Sequence, residues 1–471
     1  MMKSVKRQGG QMSLFDTVEC ATDVAVLSGK HVVPSTKGRA DEWLTDCYDE
    51  RTSTVDLMSP VADLSNLSRA CQRVIRNGGA GGIDGMEVGE LRKWFAEHHA
   101  ELRSQLLSGE YHPSAVRGVK IPKPNGGERQ LGIPTVVDRV VQQAVHQVLS
   151  PRYERIFSKS SYGFRPGKGA RQALVQAGEY VGEGYKHVVD IDLAKFFDEV
   201  NHNRLLWRLS TRIGDKRLLK LIHRFLKAGM LEGGLVGQRV KGTPQGGPLS
   251  PLLSNIVLDE LDKELERRGH RFVRYADDLI VLVASEVAGQ RVFNSLVTFI
   301  EDKLKLRVNR DKSEIRKSTE LNFLGHGILG NGSLMLSAKS EKRLKAKLRQ
   351  TTRRNRGRSF SQVIKELNRQ LRGWLEYFRH AKMKKKLRAL ESWLKHRLRC
   401  YRLKQCKRAI GMFRFLFKLG VPRDRSWSTA SNRRGWWANA STPAAHEGMN
   451  NGWFLSEGLI AIVPTYERLH A

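Results

Sequence analysis

Four aspartates stand in or beside short apolar runs that resemble β-strands. They are Asp190 and Asp192 in the first run, and Asp277 and Asp278 in the second. Alternation along the first strand puts Asp190 and Asp192 on one face, while the second run reads as two strands that meet at the adjacent pair. Carboxylates in apolar strands are costly unless they are paired, hydrated or bound to a metal ion. Pairing of the strands could therefore bring three carboxylates together.

Converging carboxylates suit Mg²⁺, which takes oxygen ligands and keeps waters or substrate phosphates in its remaining positions. Two such ions about 4 Å apart can activate a hydroxyl and stabilise a departing pyrophosphate, as in polymerases. An Asp-Asp pair is also a common surface turn, because Asp favours turns. The Tyr275–Asp278 tetrad alone therefore does not distinguish a surface turn from a metal site, and the acid-bearing strand upstream favours the metal site.

An aromatic pair and a loop rich in glycine and proline lie beside the acids. Phe197 is five residues beyond Asp192, although an isolated Phe more often belongs to a core. The loop, residues 242–251, precedes an apolar helix and lies between the two acid-bearing runs. Its backbone could press against a base pair. Acids, aromatic residue and loop together predict a site that joins nucleotides.

The charge of the chain indicates a polyanionic partner. Its 471 residues include 82 Lys and Arg against 48 Asp and Glu, a net charge of +34. Residues 339–418 hold 28 of the basic residues and four acids, whereas residues 1–56 hold seven basic and nine acidic residues. Phosphate contacts release counterions and so favour a basic surface. A solvated basic protein or one bound to acidic lipid is the alternative.

Cysteine spacing and hydropathy indicate the compartment. The five cysteines form no Cys-x-x-Cys pair, which predicts a reduced, intracellular protein without a zinc site. No run approaches the roughly 18 apolar residues of a membrane span, and the N-terminus does not resemble a signal peptide. We therefore expect a cytoplasmic protein.

The elements that must position the acids can be read from periodicity and turn residues. Apolar spacing predicts a helix over 64–75, and the following loop, 77–85, is too rich in glycine for a helix or strand interior. Two strands around a turn at 123–127 predict a hairpin, followed by a helix over 136–149. Strands and helices alternate over 187–323, after which strand signals end. Amphipathic helices are predicted over 360–378 and 387–398.

These motifs, in this order, resemble the reverse transcriptase/maturases of bacterial group II introns, especially the compact kind without an endonuclease domain. The similarity runs from about Leu57 to Leu469. The motifs that carry it are NGGAGGIDG, IPKPNGGERQLGIPTVVDR, SYGFRPGKGARQAL, VVDIDLAKFFDEVNH, GTPQGGPLSPLLSNIVLDELD, RYADDLIVL, LKLRVNRDKSEI and LNFLGHGI.

The resemblance implies an α+β fold, the right-hand polymerase, with fingers, a palm containing an antiparallel sheet, an α-helical thumb and a small C-terminal DNA-binding segment. The implied domains are a flexible extension over 1–56, fingers with a lid loop over 57–180, palm over 181–335, basic thumb or maturase domain over 336–418, and the DNA-binding segment over 419–471.

The resemblance also implies the metal site. Asp192, Asp277 and Asp278 would be catalytic and would hold two Mg²⁺ ions, with Mn²⁺ as a substitute. The backbone carbonyl of Leu193 would be a further ligand, and Asp190 would not be a ligand. Asp277 would coordinate the metal ions directly, and the coordination by Asp278 would be less direct.

The nucleotide and template contacts are implied in the same way. Phe197 matches a steric gate that would reject a ribose 2′-hydroxyl. The deoxynucleotide pocket would consist of Lys123, Arg129, Lys195, Phe196, Phe197 and Gln245. Template and primer would contact the lid residues Asn77, Gly78, Gly79, Ala80 and Gly81, then Arg165, Gly246 and Gly247, and the primer-grip residues Phe323, Leu324 and Gly325.

The implied function is an intron-encoded, RNA-directed DNA polymerase that also assists splicing of its intron RNA and target-primed integration, the retrohoming of a mobile element. Its partners would be RNA template, intron RNA, DNA primer or target and deoxynucleotides, with no membrane; a second copy of the chain is a candidate partner. It would be bacterial and cytoplasmic, and nucleoid-associated when bound to DNA. The alternatives are a domesticated reverse transcriptase of DNA repair or defence, and a non-catalytic RNA-binding maturase.

Overall fold

The computed structural model describes residues 55–122, 128–232, 235–237, 241–242, 246–432 and 434–470. The predicted N-terminal extension therefore lies almost wholly outside the described residues. Within these ranges the strands are β1 (Val116–Pro122), β2 (Glu128–Ile133), β3 (His187–Ile191), β4 (Met230–Glu232), β5 (Leu235–Gly237), β6 (Arg271–Tyr275), β7 (Asp278–Val283), β8 (Glu314–Lys317), β9 (His326–Ile328) and β10 (Leu334–Leu336).

Helices make up most of the remaining described chain. They are α1 (Met58–Ala62), α2 (Leu64–Asn77), α3 (Leu91–Ser108), α4 (Val136–Glu154), α5 (Ala170–Gly182), α6 (Phe196–Glu199), α7 (His202–Ser210), α8 (Lys216–Lys227), α9 (Ser250–Arg267), α10 (Glu286–Thr298), α11 (Ala338–Thr351), α12 (Phe360–Phe378), α13 (Lys384–Gln405), α14 (Ala409–Lys418), α15 (Arg423–Ser431), α16 (Gly435–Asn439), α17 (Pro443–Gly448), α18 (Asn451–Ser456) and α19 (Ile462–His470). A π-helix, Phe299–Lys303, follows α10 directly.

The chain divides into two compact units. Unit 1 holds the described residues up to Phe157, together with Lys195–Leu261 and Lys305–Arg307. Unit 2 holds Ser158–Ala194, Asp262–Leu304 and the described residues from Val308 onwards. Helix α9 contributes residues to both units.

Unit 1 contains a four-stranded sheet in the order β2-β1-β4-β5. Strands β1 and β2 are antiparallel, from Arg117 opposite Ile133 to Pro122 opposite Glu128, which confirms the predicted hairpin. Helix α4 then follows as predicted. The amide of Asn66 on α2 donates to the carbonyls of Val61 and Ala144, so one buried side chain ties α1, α2 and α4 together.

Unit 2 contains a second four-stranded sheet, in the order β6-β7-β3-β8, with every neighbouring pair antiparallel. Side chains from one face of this sheet enter a core with α5, because alternate residues of a strand share a face. The core residues are Tyr162, Ala173, Leu174, Ala177, Val181, Val188, Val273, Ile280, Leu282, Leu321, Phe323, Ile328 and Leu334. This packing anchors the strands whose ends carry the aspartates.

The chain after Phe323 differs from the prediction that strand signals end there. Strands β9 and β10 form an antiparallel pair, with Leu334 opposite Ile328. The prediction was wrong because strands of three residues are too short to show a period of two. The two amphipathic helices were predicted correctly and are α12 and α13; the residues of their predicted apolar stripes are buried, except Trp393, which is half-buried.

Beyond α14, the segment 419–471, which the resemblance implies to bind DNA, contains helices α15 to α19. Together with the three antiparallel or mixed sheets of the described residues, these helices confirm the α+β class. Within the described ranges, we find no helix that is both long and apolar enough to span a membrane.

Candidate active site

Strand pairing brings the three predicted catalytic aspartates to one edge of the unit 2 sheet. Ile191 is opposite Leu279, so the next residue along the first strand, Asp192, and the residue before Leu279, Asp278, lie at the same edge. The hairpin was predicted with Asp277 and Asp278 at its turn. In the structure Tyr275 pairs with Asp278, the first residue of β7, so the two turn residues are Ala276 and Asp277. The sequence predicts a strand through Leu193, but β3 ends two residues earlier, at Ile191, so Asp192 follows the strand.

Three residues of the chain segment 308–313 hold Asp192. Its Oδ2 accepts a hydrogen bond from Asn309 Nδ2 at 2.8 Å and lies 3.4 Å from Lys312 Nζ. Its backbone N–H donates to Ser313 Oγ at 2.9 Å, and its carbonyl accepts from the N–H of Asn309 at 2.8 Å. Sequence reasoning quoted these residues within a family motif but gave them no role. They fix the carboxylate while leaving it 32% exposed.

Asp190 occupies a different environment from Asp192. Its Oδ2 lies 3.5 Å from Arg316 Nη2 on β8. Burial, together with the nearby charge of Asp192, raises the pKa of Asp190 to about 6 against the opposing effect of Arg316. Asp190 is thus a partly buried acid that is paired with a cation.

A buried ion pair supports the turn that carries Asp277. Arg274 is fully buried, and its Nε and Nη2 donate to the two carboxylate oxygens of Asp262 at 2.7 and 2.5 Å. Its Nη1 donates to the carbonyl of Ala276 at 2.9 Å. Ala276 has a φ of 58°, a backbone conformation that non-glycine residues adopt rarely. Sequence reasoning gave Arg274 no role, although a charged residue within an apolar strand could have identified it.

The segment Ser158–Arg165 lies against the same turn. The backbone N–H of Arg274 donates to the carbonyl of Ser160, and the backbone N–H of Tyr162 donates to the carbonyl of Arg274, both at 2.9 Å. A Cβ at Gly163 would lie 2.9 Å from the carbonyl carbon of Tyr275 and closer still to the nitrogen of Ala276. The buried Arg165 donates to the carbonyls of Ser158 and Ser161, and its predicted template contact stays a prediction.

The donors at this edge fit Mg²⁺ by their chemistry. Carboxylate oxygens and a backbone carbonyl are the hard ligands that this ion takes. Leu193, whose carbonyl is the predicted further ligand, forms an isolated bridge with Val308. Among the residues that the structure describes, no three Asp, Glu, His or Cys side chains already converge at metal-binding spacing.

The predicted nucleotide-pocket residues that are described lie in unit 1. Phe196 is buried and Phe197 is half-buried, and their rings meet edge to face at 5.3 Å. Lys195 is exposed, with a φ of 48°. Arg129 lies on β2 opposite Ile121. Lys123 and Gln245 lie outside the described residues.

The glycines around the predicted loop 242–251 allow close backbone contact within unit 1. A Cβ at Gly242 would lie 2.9 Å from the carbonyl oxygen of Phe197. A Cβ at Gly246 would lie 2.7 Å from the carbonyl oxygen of Gly132, and one at Gly247 would overlap the amide of Gln142. The predicted contacts of Gly246 and Gly247 with template or primer stay predictions.

The glycine-rich loop predicted as a template lid is held by Arg139 of α4. The guanidinium donates to the carbonyls of Gly78 at 3.4 Å and of Ala80. A Cβ at Gly82 would lie 2.5 Å from the Cα of Thr135. Asn77 ends α2, and Gly79 and Gly81 lie in the same loop. The loop is therefore fixed on one side, while its role as a lid stays a prediction.

The predicted primer-grip residues form a tight turn in unit 2. Phe323 is buried in the core, while Leu324 and Gly325 have φ angles of 49° and 80°. The carbonyl of Leu324 accepts from Tyr377 Oη at 3.0 Å and contacts His326 Nδ1 at 3.0 Å. Burial lowers the pKa of His326 to about 4. Contact with a primer stays a prediction.

Two family models match this chain. Residues 121–328 match the reverse transcriptase (RNA-dependent DNA polymerase) model, and residues 341–417 match the group II intron maturase-specific domain. The first match contains all three aspartates of the sheet edge, and the second contains most of the basic helical segment.

Individual proteins are similar to parts of the chain. Protein YkfC of Escherichia coli (strain K12) is 34% identical over 53% of this chain and 75% of its own length. Group II intron-encoded protein LtrA of Lactococcus lactis subsp. cremoris is 32% identical over 50% of this chain and 51% of its own length. The chain thus spans about half of LtrA. The solved telomerase of Candida albicans with a telomeric RNA fragment has a TM-score of 0.41, 12% identity, and coverage of 85% of this chain and 72% of that one.

Proposed function

We propose that this chain, which belongs to the family of group II intron-encoded reverse transcriptases and maturases, is an RNA-directed DNA polymerase. The observation that carries the proposal is the common sheet edge of Asp192, Asp277 and Asp278, set by the pairing of β3, β6 and β7. Acids supplied by a strand end and a hairpin turn are suited to bind metal ions beside a nucleic-acid end.

Asp192, Asp277 and Asp278, with the carbonyl of Leu193, would hold two Mg²⁺ ions. When bound, these ions would lower the pKa of the primer hydroxyl and neutralise the departing pyrophosphate. Asn309 and Lys312 would keep the Asp192 carboxylate oriented, because partners of a ligand fix its geometry. Arg274 would position the Asp277 turn through the carbonyl of Ala276.

The remaining site residues would select and bind the deoxynucleotide. The half-buried ring of Phe197 would exclude a ribose 2′-hydroxyl, and Gln245 would line the nucleotide pocket. Lys123 and Arg129 would bind the triphosphate, as a point charge and a fork of donors respectively. Lys195 and Phe196 would complete this pocket.

The same protein would also bind its intron RNA and assist splicing, followed by target-primed integration into DNA. The basic segment 339–418, with 28 basic and four acidic residues, is the surface that phosphate contacts would favour. The partners would be RNA template, intron RNA and a DNA primer.

The experiment is primer extension on an RNA template with deoxynucleotides and Mg²⁺. Wild-type protein should make DNA, and Asp277→Ala should lose at least 100-fold in rate, on the order of the loss expected when a metal ligand of the reacting groups is removed. Absence of DNA from folded wild-type protein, or equal synthesis by the variant, would contradict the polymerase and favour a non-catalytic maturase.

The gate is tested separately by offering ribonucleotides. Phe197→Ala should raise ribonucleotide incorporation relative to deoxynucleotide incorporation, while Phe197→Tyr keeps the ring and should remain selective. An unchanged ratio in Phe197→Ala would exclude the gate but would leave the polymerase proposal intact.

A further inference from the structure

A cavity of about 350 Å³ lies in unit 2 among residues that follow α11 and residues of α13 and α16. None of the described residues that line it belongs to the sheet that carries the aspartates. Its lining includes Thr352, Arg353, Arg354, Arg397, Lys404 and Trp437. Ligand pockets in proteins have volumes of about 300–1,000 Å³. The cavity is therefore at the small end of this range and suits a ligand of about one nucleotide.

The charged residues that line the cavity, in the part of the chain that the structure describes, are all cations. Arg397 is already fixed, because its Nε donates to Thr352 Oγ1 at 2.7 Å and its Nη2 to the carbonyl of Arg349 at 3.2 Å. Burial lowers the pKa of Arg397, and the neighbouring charges of Arg349 and Arg354 lower it further. Clustered guanidinium groups of this kind are stabilised by a phosphate, whose oxygens match their fork of donors.

Trp437 adds an aromatic face to the cationic lining. Its side chain is 49% exposed, which is costly for so large an apolar group in isolation. Its ring meets His396 of α13 edge to face, with centroids 4.0 Å apart and an interplanar angle of 72°. This contact holds the indole in place beside the cations. Aromatic faces next to basic groups stack the unpaired bases of single strands.

We propose that this cavity binds one unstacked nucleotide of a single-stranded polynucleotide. The phosphate would contact Arg354, Arg397 and Lys404, and the base would stack on Trp437. A base within a duplex is already stacked and cannot enter. RNA and DNA strands share this chemistry, so both are tested. The site rests on the nucleic-acid binding proposed above for the basic segment 339–418 and gives it a specific nucleotide pocket. It requires none of the proposed catalytic aspartates, so it should persist in Asp277→Ala.

The first test is photocrosslinking of full-length wild-type protein to single strands of RNA or DNA that carry 5-iodouracil, followed by mass spectrometry. Crosslinks on Trp437 or the neighbouring α16 peptide are expected with at least one of the two strands. Crosslinks found only elsewhere in the chain would overturn the proposal, and this measurement needs no variant to fold.

The second test compares binding affinities by fluorescence anisotropy in the Asp277→Ala background. Trp437→Ala should weaken single-strand binding about 10-fold, since stacking of one base contributes about 1–3 kcal/mol, and Trp437→Phe should retain most of the affinity. A duplex of the same sequence should bind both variants equally. The control is Trp207→Ala, which removes a 61% exposed tryptophan of unit 1 and should change affinity less than twofold.

Two results of this comparison would overturn the proposal. The first is equal weakening of single-strand binding by Trp437→Ala and Trp207→Ala, which would mean that the cavity has no special part. The second is equal weakening of single-strand and duplex binding by Trp437→Ala, which would mean that the cavity binds phosphate groups and does not require an unstacked base. Failure of primer extension in the experiment above would leave both tests valid.

Discussion

Arg274 and Asp262 form a buried ion pair behind the turn that carries Asp277. The guanidinium makes two hydrogen bonds to the carboxylate and a third to the carbonyl of Ala276. A further bond, at 2.8 Å, joins Arg274 to Ser161 Oγ. The pair therefore connects α9, β6 and the segment before α5 at one point, next to a backbone conformation that needs support.

Removing one member of this pair should be strongly destabilising. Asp262→Ala leaves the guanidinium buried without its carboxylate, and breaking a buried pair in this way costs about 3–5 kcal/mol. We expect a loss of that size in the free energy of unfolding, measured by urea denaturation. The control is Arg267→Ala, because Arg267 is 70% exposed and pairs with Glu264 on the surface; such pairs contribute about 1 kcal/mol or less. Similar losses in both variants would contradict a special role for the pair.

Gly163 should tolerate no side chain. A Cβ there would overlap the backbone of Tyr275 and Ala276, so Gly163→Ala must displace the turn that carries Asp277. We expect primer extension to fall at least 10-fold, on the order of the effect of misplacing a reacting group by about 1 Å. Gly330→Ala is the matched control, because a Cβ at Gly330 meets nothing within 4 Å. Normal activity of Gly163→Ala would show that the turn can relax.

Asn309 should determine how well Asp192 serves a metal ion. Its side chain donates to Asp192 Oδ2, and loss of such a partner typically costs about 10–100-fold in metal affinity or activity. Asn309→Ala should therefore require more Mg²⁺ for half-maximal primer extension. Arg310→Ala changes the adjacent residue, which pairs instead with Glu301, and should behave as wild type. An unchanged Mg²⁺ requirement in Asn309→Ala would exclude this positioning role.

Local pattern was sufficient to predict the hairpin at Asp277 and the helices α12 and α13. Each depends on residues that are close in sequence, where alternation, turn residues and helical spacing are visible. The choice of Asp192 rather than Asp190 as the proposed catalytic acid rests on the family resemblance, because the strand pattern alone treats the two residues alike.

The supports of the site could not be read in this way. Asp192 depends on Asn309, and Ala276 lies against Gly163, which are pairs separated by more than 100 positions in the sequence. Such contacts arise from tertiary packing and leave no periodic signal. The short strands β9 and β10 and the helices α15 to α19 escaped prediction for a different reason, since elements of three to nine residues contain too few periods to recognise.

His326 should make the stability of unit 2 depend on pH. Its ring is buried against Phe378, with centroids 4.7 Å apart, and burial lowers its pKa from 6.5 to about 4. The folded protein therefore favours the neutral ring. This contribution to stability is fully present above pH 6.5 and is lost as the pH falls towards 4, because the unfolded chain binds the proton first.

The difference between the pKa of His326 in the unfolded and the folded protein corresponds to a loss of about 3 kcal/mol in the free energy of unfolding at pH 4. Urea denaturation at pH 7 and at pH 4.5 measures it. His326→Gln should be less stable than wild type at pH 7 because of lost packing, and its unfolding free energy should fall less on acidification. His146, whose pKa burial also lowers to about 4, remains in both proteins, so the difference isolates His326. His112→Gln, at an exposed histidine, should follow the wild-type dependence. Parallel pH profiles for wild type and His326→Gln would contradict this prediction, because they would show that the pKa of His326 is the same in the folded and the unfolded protein.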